Sequence, residues 1–135
     1  MPITFSADGS NLAGAHTVLV VLGEQPYAEM KGDRSDLSIA PEEAALVAKA
    51  KASGARVVTL IISGRPLVLG TVLDNSDAII AAWLPGTEGQ GVADVLTGTF
   101  KPRGKLPHYW PRSAVQFGQH DVTDPQFPLG FGLTY

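Results

Sequence analysis

The sequence contains no cysteine in its 135 residues. Disulfide frameworks, thiolate zinc sites and cysteine nucleophiles are excluded at once. The absence does not fix a compartment, because many exported proteins also lack disulfides. Charge is scarce: 17% of residues are Asp, Glu, Lys or Arg, against about 25% in an average globular chain. So little charge suits a domain that has part of its surface covered by a partner. The net charge of −3 offers no basic face for phosphates, so no nucleic-acid partner is expected. No stretch approaches the ~20 apolar residues of a membrane span, so no membrane partner is expected either. The opening MPITFSADGS has no basic stretch followed by an apolar core, and no signal peptide is expected there. The length is too short for a complete (β/α)₈ barrel of ~250 residues and suits one domain.

What is present is a hydrophobic content of 44%, enough for a core. Glycine and proline are frequent and predict tight turns and long irregular connections. Neither internal repeats nor low-complexity tracts occur. His16 to Gly23, HTVLVVLG, predicts a strand buried on both faces and closed by glycine. Glu24 to Ala40 has no period and reads as a long loop, and loops of that length are usually functional. Pro41 opens PEEAALVAKAKAS. Proline at the first helical position, acids in the first turn and lysines near the end predict a helix stopped by Gly54. Arg56 to Ser63 and Asp77 to Trp83 predict two further strands. Leu67 to Leu73 could be a short helix or an extended piece. Glu88 to Leu96 predicts a helix ending at Gly98, and beyond Thr99 the chain reads as irregular, with one short strand near Leu106–Trp110.

This alternation predicts an α/β fold: a mainly parallel sheet flanked by helices, a partial α/β sandwich with flavodoxin-like layering, followed by a long irregular C-terminal segment. Ligands of such sheets bind beyond the carboxyl ends of the strands. Two acid-bearing loops fall there. The first, GEQPYAEMKGD, offers Glu24, Tyr27, Glu29, Lys31 and Asp33. A carboxyl group in a partly apolar loop can be tuned to donate a proton near neutral pH, and Tyr27 and Met30 beside Glu29 could supply that setting. On spacing alone a solvated acidic loop is the better-supported reading. The second, LPGTEGQG, meets neither the dinucleotide nor the P-loop fingerprint and reads first as a tight strand-to-helix turn. His16, His108 and His120 show no ligand-like pairing, so no metal and no cofactor are expected. Ser63 lacks the G-x-S-x-G elbow. Arg65 reads as an ion-pair or loop anchor, and Trp83 and Trp110 as packing.

Taken together, VLGEQPYAEMKGD, VTLIISGRPL, SDAIIAAWLPGTEGQGVADVLTG, KPRGKLPHYWP and FPLGFGLTY, in that order, resemble glycoside hydrolase family 3. Any one of these motifs is weak, but five in order from about His16 to Tyr135 are a strong signal. The GE-x-PY-x-E-x-x-GD form is similar to the β-glucan exohydrolase branch. The resemblance implies the later part of the family's second domain, an α/β sandwich, with residues 1–135 as a single partial domain. It implies an N-terminal barrel that carries an aspartate nucleophile as partner, a terminal β-glucoside or β-glucan as substrate, and a secreted or periplasmic parent enzyme. The family's acid/base glutamate falls on Glu29. Glu24 and Asp33 fall on recurring positions of the same segment, and with Tyr27 and Lys31 they are read as residues that hold the loop. Trp83 and Trp110 match no pocket tryptophan of the family. The sugar-contacting residues are not identified. The isolated chain is expected to be inactive. The competing readings are a stand-alone sugar- or anion-binding module and a structural partner for a separately made barrel. Exposed former interfaces could also drive homodimerisation.

Overall fold

In a computed structural model, which describes residues 3–135, the three apolar runs become three parallel strands. The strands are β1 (Thr17–Gly23), β2 (Arg56–Ile62) and β3 (Ala78–Trp83). The helices are α1 (Pro41–Ala52), α2 (Thr71–Asp74) and α3 (Gly89–Leu96). The sheet runs β1-β2-β3 with β2 in the centre. Thr17 pairs with Arg56 and Gly23 with Ile62, while the β2–β3 register shifts at a bulge between Ile61 and Ile62 that sets Ile62 against Trp83.

Successive strand residues point to opposite faces. On one face Val20, Leu22, Val57 and Ile61 pack with Val47 and Ala50 of α1 and Val72 of α2, joined by Leu37, Ile39, Leu67, Leu69 and Trp110. Thr59 is fully buried on this face, and its hydroxyl is satisfied by the Ser76 hydroxyl at 2.7 Å. The other face of β1 differs from the expectation of burial on both sides. Leu19 is 44% exposed and Val21 53%. The apolar run is present, but these two side chains are covered only in part. Nor is any residue of α3 buried, although Val92, Val95 and Leu96 form an apolar group on it.

Helix α1 starts with Pro41 at its first position and stops before Gly54, whose φ of 81° is the left-handed turn that favours glycine. One of its first-turn acids has a further use, for Glu43 accepts the Gly23 N–H at 3.1 Å and so caps the end of β1. Both readings of Leu67–Leu73 are partly met. Val68 is extended and bridges Ser38 in parallel, and a single helical turn follows at Thr71–Asp74. The long loop 24–40 holds a 3₁₀ turn at Glu29–Gly32 and the buried residues Leu37 and Ile39. The strand expected near Leu106–Trp110 is instead a bridge, Trp110 opposite Phe127, supported by Leu106 N–H to the Phe131 carbonyl at 2.8 Å. Pro107, Pro111 and Pro128 lack the N–H groups that a continuous ladder needs. The irregular tail is nonetheless tied down. Trp110 is 3% exposed and its indole N–H donates to the Leu67 carbonyl at 2.8 Å. Phe127 and Phe131 stack, and the Tyr135 hydroxyl reaches the Val95 carbonyl.

Candidate active site

Parallel strands converge at their carboxyl ends, and here those ends deliver Glu24 from β1, Ser63-Gly64-Arg65 from β2 and Trp83-Leu84 from β3. Glu24 continues the ladder through its N–H to the Ile62 carbonyl at 3.1 Å. Its side chain is only 6% exposed, and three N–H groups converge on Oε1: Arg65 Nη2 at 2.7 Å, Arg65 Nε at 3.1 Å and Arg34 Nη2 at 2.9 Å. A carboxylate this withdrawn from water is tolerated because it is paired. Hydrogen bonding to Glu24 raises the Arg65 pKa above the ordinary guanidinium range, against the opposing effect of burial.

Arg65 does more than pair. Its Nη2 also donates to the Gly32 carbonyl at 2.7 Å, and its Cζ lies 4.8 Å from the centre of the Tyr27 ring. The same ring covers Gly32 so closely that a Cβ there would run into it. Over Gly64 the two candidate loops meet, since a Cβ on that residue would lie 3.2 Å from the Tyr27 hydroxyl and 3.6 Å from Leu84 Cδ1.

Between Glu24 and Gly32 sits the 3₁₀ turn, closed by Lys31 N–H to Ala28 O at 3.2 Å and Asp33 N–H to Met30 O at 3.0 Å. Glu29 is its first residue, with φ at 47°. An L-residue with a long side chain rarely occupies that region, which costs about 1–3 kcal/mol when held there. The other described non-glycine residue with positive φ is Trp83, at 54°. Both stand at the carboxyl edge of the sheet.

The Glu29 side chain points to solvent and forms no hydrogen bond or ion pair among the described residues. The apolar setting expected from Tyr27 and Met30 does not form around it within this chain. Met30 is 80% exposed, and one face of Tyr27 is taken by Arg65. Glu24 and Tyr27 enter the network that holds the loop, while Lys31 and Asp33 are exposed and use no side-chain hydrogen bond there. Arg34 and Gly32 belong to the network and were not singled out by sequence reasoning. A charge of opposite sign ten residues from Glu24, and a glycine beside the acids, were the signals available. The 84–91 loop is a tight turn, with Glu88 N–H to Pro85 O at 2.9 Å and Gly91 N–H to Glu88 O at 3.1 Å. Trp83 packs against Trp110 at 5.9 Å and His108 at 6.3 Å between ring centres, which makes it packing rather than an open platform.

The chain is similar to several known proteins. A lysosomal β-glucosidase of Dictyostelium discoideum is 38% identical over 128 residues, covering 87% of this chain and 16% of that protein. A periplasmic β-glucosidase of Salmonella typhimurium is 32% identical over 147 residues, covering 90% and 19%. The crystal structure of an exo-1,3/1,4-β-glucanase from a Pseudoalteromonas species superposes with a TM-score of 0.85 at 41% identity, covering 97% of this chain and 18% of that one. The chain thus spans less than a fifth of each of these relatives. The profile of the Glycosyl hydrolase family 3 C-terminal domain matches residues 3–135, nearly every position from which the sheet, the acid-bearing turn and the tail are built, and the chain belongs to that family.

Proposed function

We propose that the chain is the acid/base-bearing part of a retaining β-glucosidase or exo-β-glucanase, with Glu29 as the general acid/base. Residues 1–135 then form one partial domain that works against an N-terminal barrel. The observation that carries this reading is Glu29 itself: a carboxyl group with no partner among the described residues, in a strained left-handed conformation at the carboxyl edge of a parallel sheet. Strain of this kind persists only where the surroundings impose it, and here a turn anchored at both ends imposes it.

Retaining hydrolysis needs two carboxyl groups roughly 5–5.5 Å apart, one as nucleophile and one as acid then base. Glu29 protonates the departing glycosidic oxygen while the nucleophile attacks the anomeric carbon. It then takes a proton from the water that releases the glycosyl group. The nucleophile comes from the barrel, as does most of the sugar pocket. Met30 at 80% exposure and Leu84 at 72% are the apolar side chains a covering domain would bury, lowering the dielectric around Glu29 in the assembled enzyme.

The decisive measurement is Glu29→Gln in the complete enzyme carrying this domain beside its barrel. General acid catalysis contributes about 10²–10⁴-fold, so turnover of a natural β-glucan should fall by that order. Aryl β-glucosides with good leaving groups need little protonation and should lose far less in the glycosylation step. Equal losses on both substrate types would falsify the acid role.

A further inference from the structure

We infer that Arg65 is the positioning residue of the acid-bearing turn, acting on Glu29 through the backbone on either side of it. The inference rests on Glu29 being the acid/base. A solvated surface arginine would hold one partner loosely. Arg65 is only 24% exposed at its side chain and holds three groups at once. Its Nε and Nη2 fix Glu24, the residue that leaves β1. The same Nη2 fixes the carbonyl of Gly32, where the 3₁₀ turn ends. Its guanidinium face fixes the Tyr27 ring, which in turn sits on Gly32. Glu24 and Gly32 bracket Glu29, so one planar cation from the turn after β2 ties both ends of the loop, and Arg34 adds a further bond to Glu24.

This matters because no side chain among the described residues contacts the Glu29 carboxyl group directly, and its φ is strained. Released from Arg65, the turn has every reason to relax to negative φ, which would re-aim the carboxyl group. Lysine keeps the charge beside Glu24 but cannot bond Glu24 and Gly32 and stack on Tyr27 together. Arg65→Lys therefore separates positioning from charge pairing. Arg65→Met also leaves the buried Glu24 carboxylate with Arg34 alone and is read only alongside a melting curve.

Two measurements test this. In the 135-residue chain, hydrogen exchange reads the Lys31 and Asp33 amides that close the turn. Arg65→Lys should accelerate them by roughly tenfold or more, the scale of a lost hydrogen bond to a charged group, with the amides of β2 unchanged. In the complete enzyme, kcat/KM across aryl β-glucosides of rising leaving-group pKa should become steeper in Arg65→Lys. A misplaced acid costs up to ~100-fold on the poorest leaving group and little on the best. A merely structural role would depress all substrates by one common factor. Unchanged exchange at Lys31 and Asp33, or a uniform loss across leaving groups, overturns the inference. Glu29→Gln run beside it keeps the two readings apart. A flat leaving-group profile in Glu29→Gln sinks the acid assignment itself. A steep one there with a flat one in Arg65→Lys sinks the positioning role alone.

Discussion

Asp77 and Val57 are bonded to each other twice. The Asp77 N–H donates to the Val57 carbonyl at 2.8 Å, and the Val57 N–H donates to Asp77 Oδ2 at 2.8 Å. Asp77 Oδ1 accepts Lys51 Nζ, also at 2.8 Å. The carboxylate thus serves as a rung of the sheet where β2 and β3 begin and ties both to α1. Hydrogen bonding from Lys51, then from the Val57 N–H, holds its pKa below the ordinary value despite some desolvation.

A group whose folded pKa is depressed adds stability above its unfolded pKa, and that stability is lost as pH falls through the folded value. Melting temperature should therefore decline on acidification below about pH 4, the ordinary Asp range. Asp77→Asn should show a shallower acid decline than the parent chain. Thermal melts across the acid range check this, and identical slopes would remove Asp77 from the account.

Trp110→Phe should destabilise the chain by about 1–3 kcal/mol, because the buried Leu67 carbonyl loses its donor. The tail from Phe127 onward should loosen with it, since the indole anchors the Trp110 backbone that bridges Phe127. Denaturant unfolding gives the first quantity and amide exchange at Phe127 the second. A neutral substitution would mean that the indole N–H bond is replaced without cost.

Gly32→Ala should displace the Tyr27 ring, which occupies the space a Cβ would need. The cost is that of an overpacked site, about 1–3 kcal/mol, and the Arg65 contact with Tyr27 should weaken together with it. A crystal structure of the variant, or ring NMR shifts of Tyr27, would show the movement. An unmoved ring with full stability would mean that the backbone yields instead.

The isolated chain should self-associate through the exposed side of β1. Leu19 and Val21 are exposed there, and β1 is a seven-residue edge strand that pairs with no strand on its outer side among the described residues, with only its Gly23 N–H capped by Glu43. Leu19→Lys with Val21→Lys should shift the chain toward monomer in analytical ultracentrifugation while leaving the melting temperature nearly unchanged. A parent chain that is monomeric at high concentration contradicts this.

The strands were legible because parallel strands flanked by helices read as unbroken apolar runs, and β2 and β3 fall where RVVTLII and AIIAAW stand. The sidedness of β1 was not, since an apolar run does not say whether anything lies over Leu19. Leu67–Leu73 stayed ambiguous because its first half is fixed by Ser38, some thirty residues earlier, and local propensity carries no such contact. At the candidate site, motif order pointed to Glu29, but spacing could not reveal its conformation. The tie between Arg65 and Glu24 joins residues 41 positions apart. Only the fold brings them together, with Gly32 completing the set from a third place in the sequence.

The left-handed backbone at Glu29 has a practical consequence for anyone improving this protein. Glycine and asparagine occupy that region at lower cost than glutamate, so replacing Glu29 with either relieves local strain. A laboratory selection that rewards heat resistance alone would therefore enrich substitutions at the very position proposed to donate the proton. Robustness and turnover should be selected together, because the role proposed for residue 29 sets them in opposite directions.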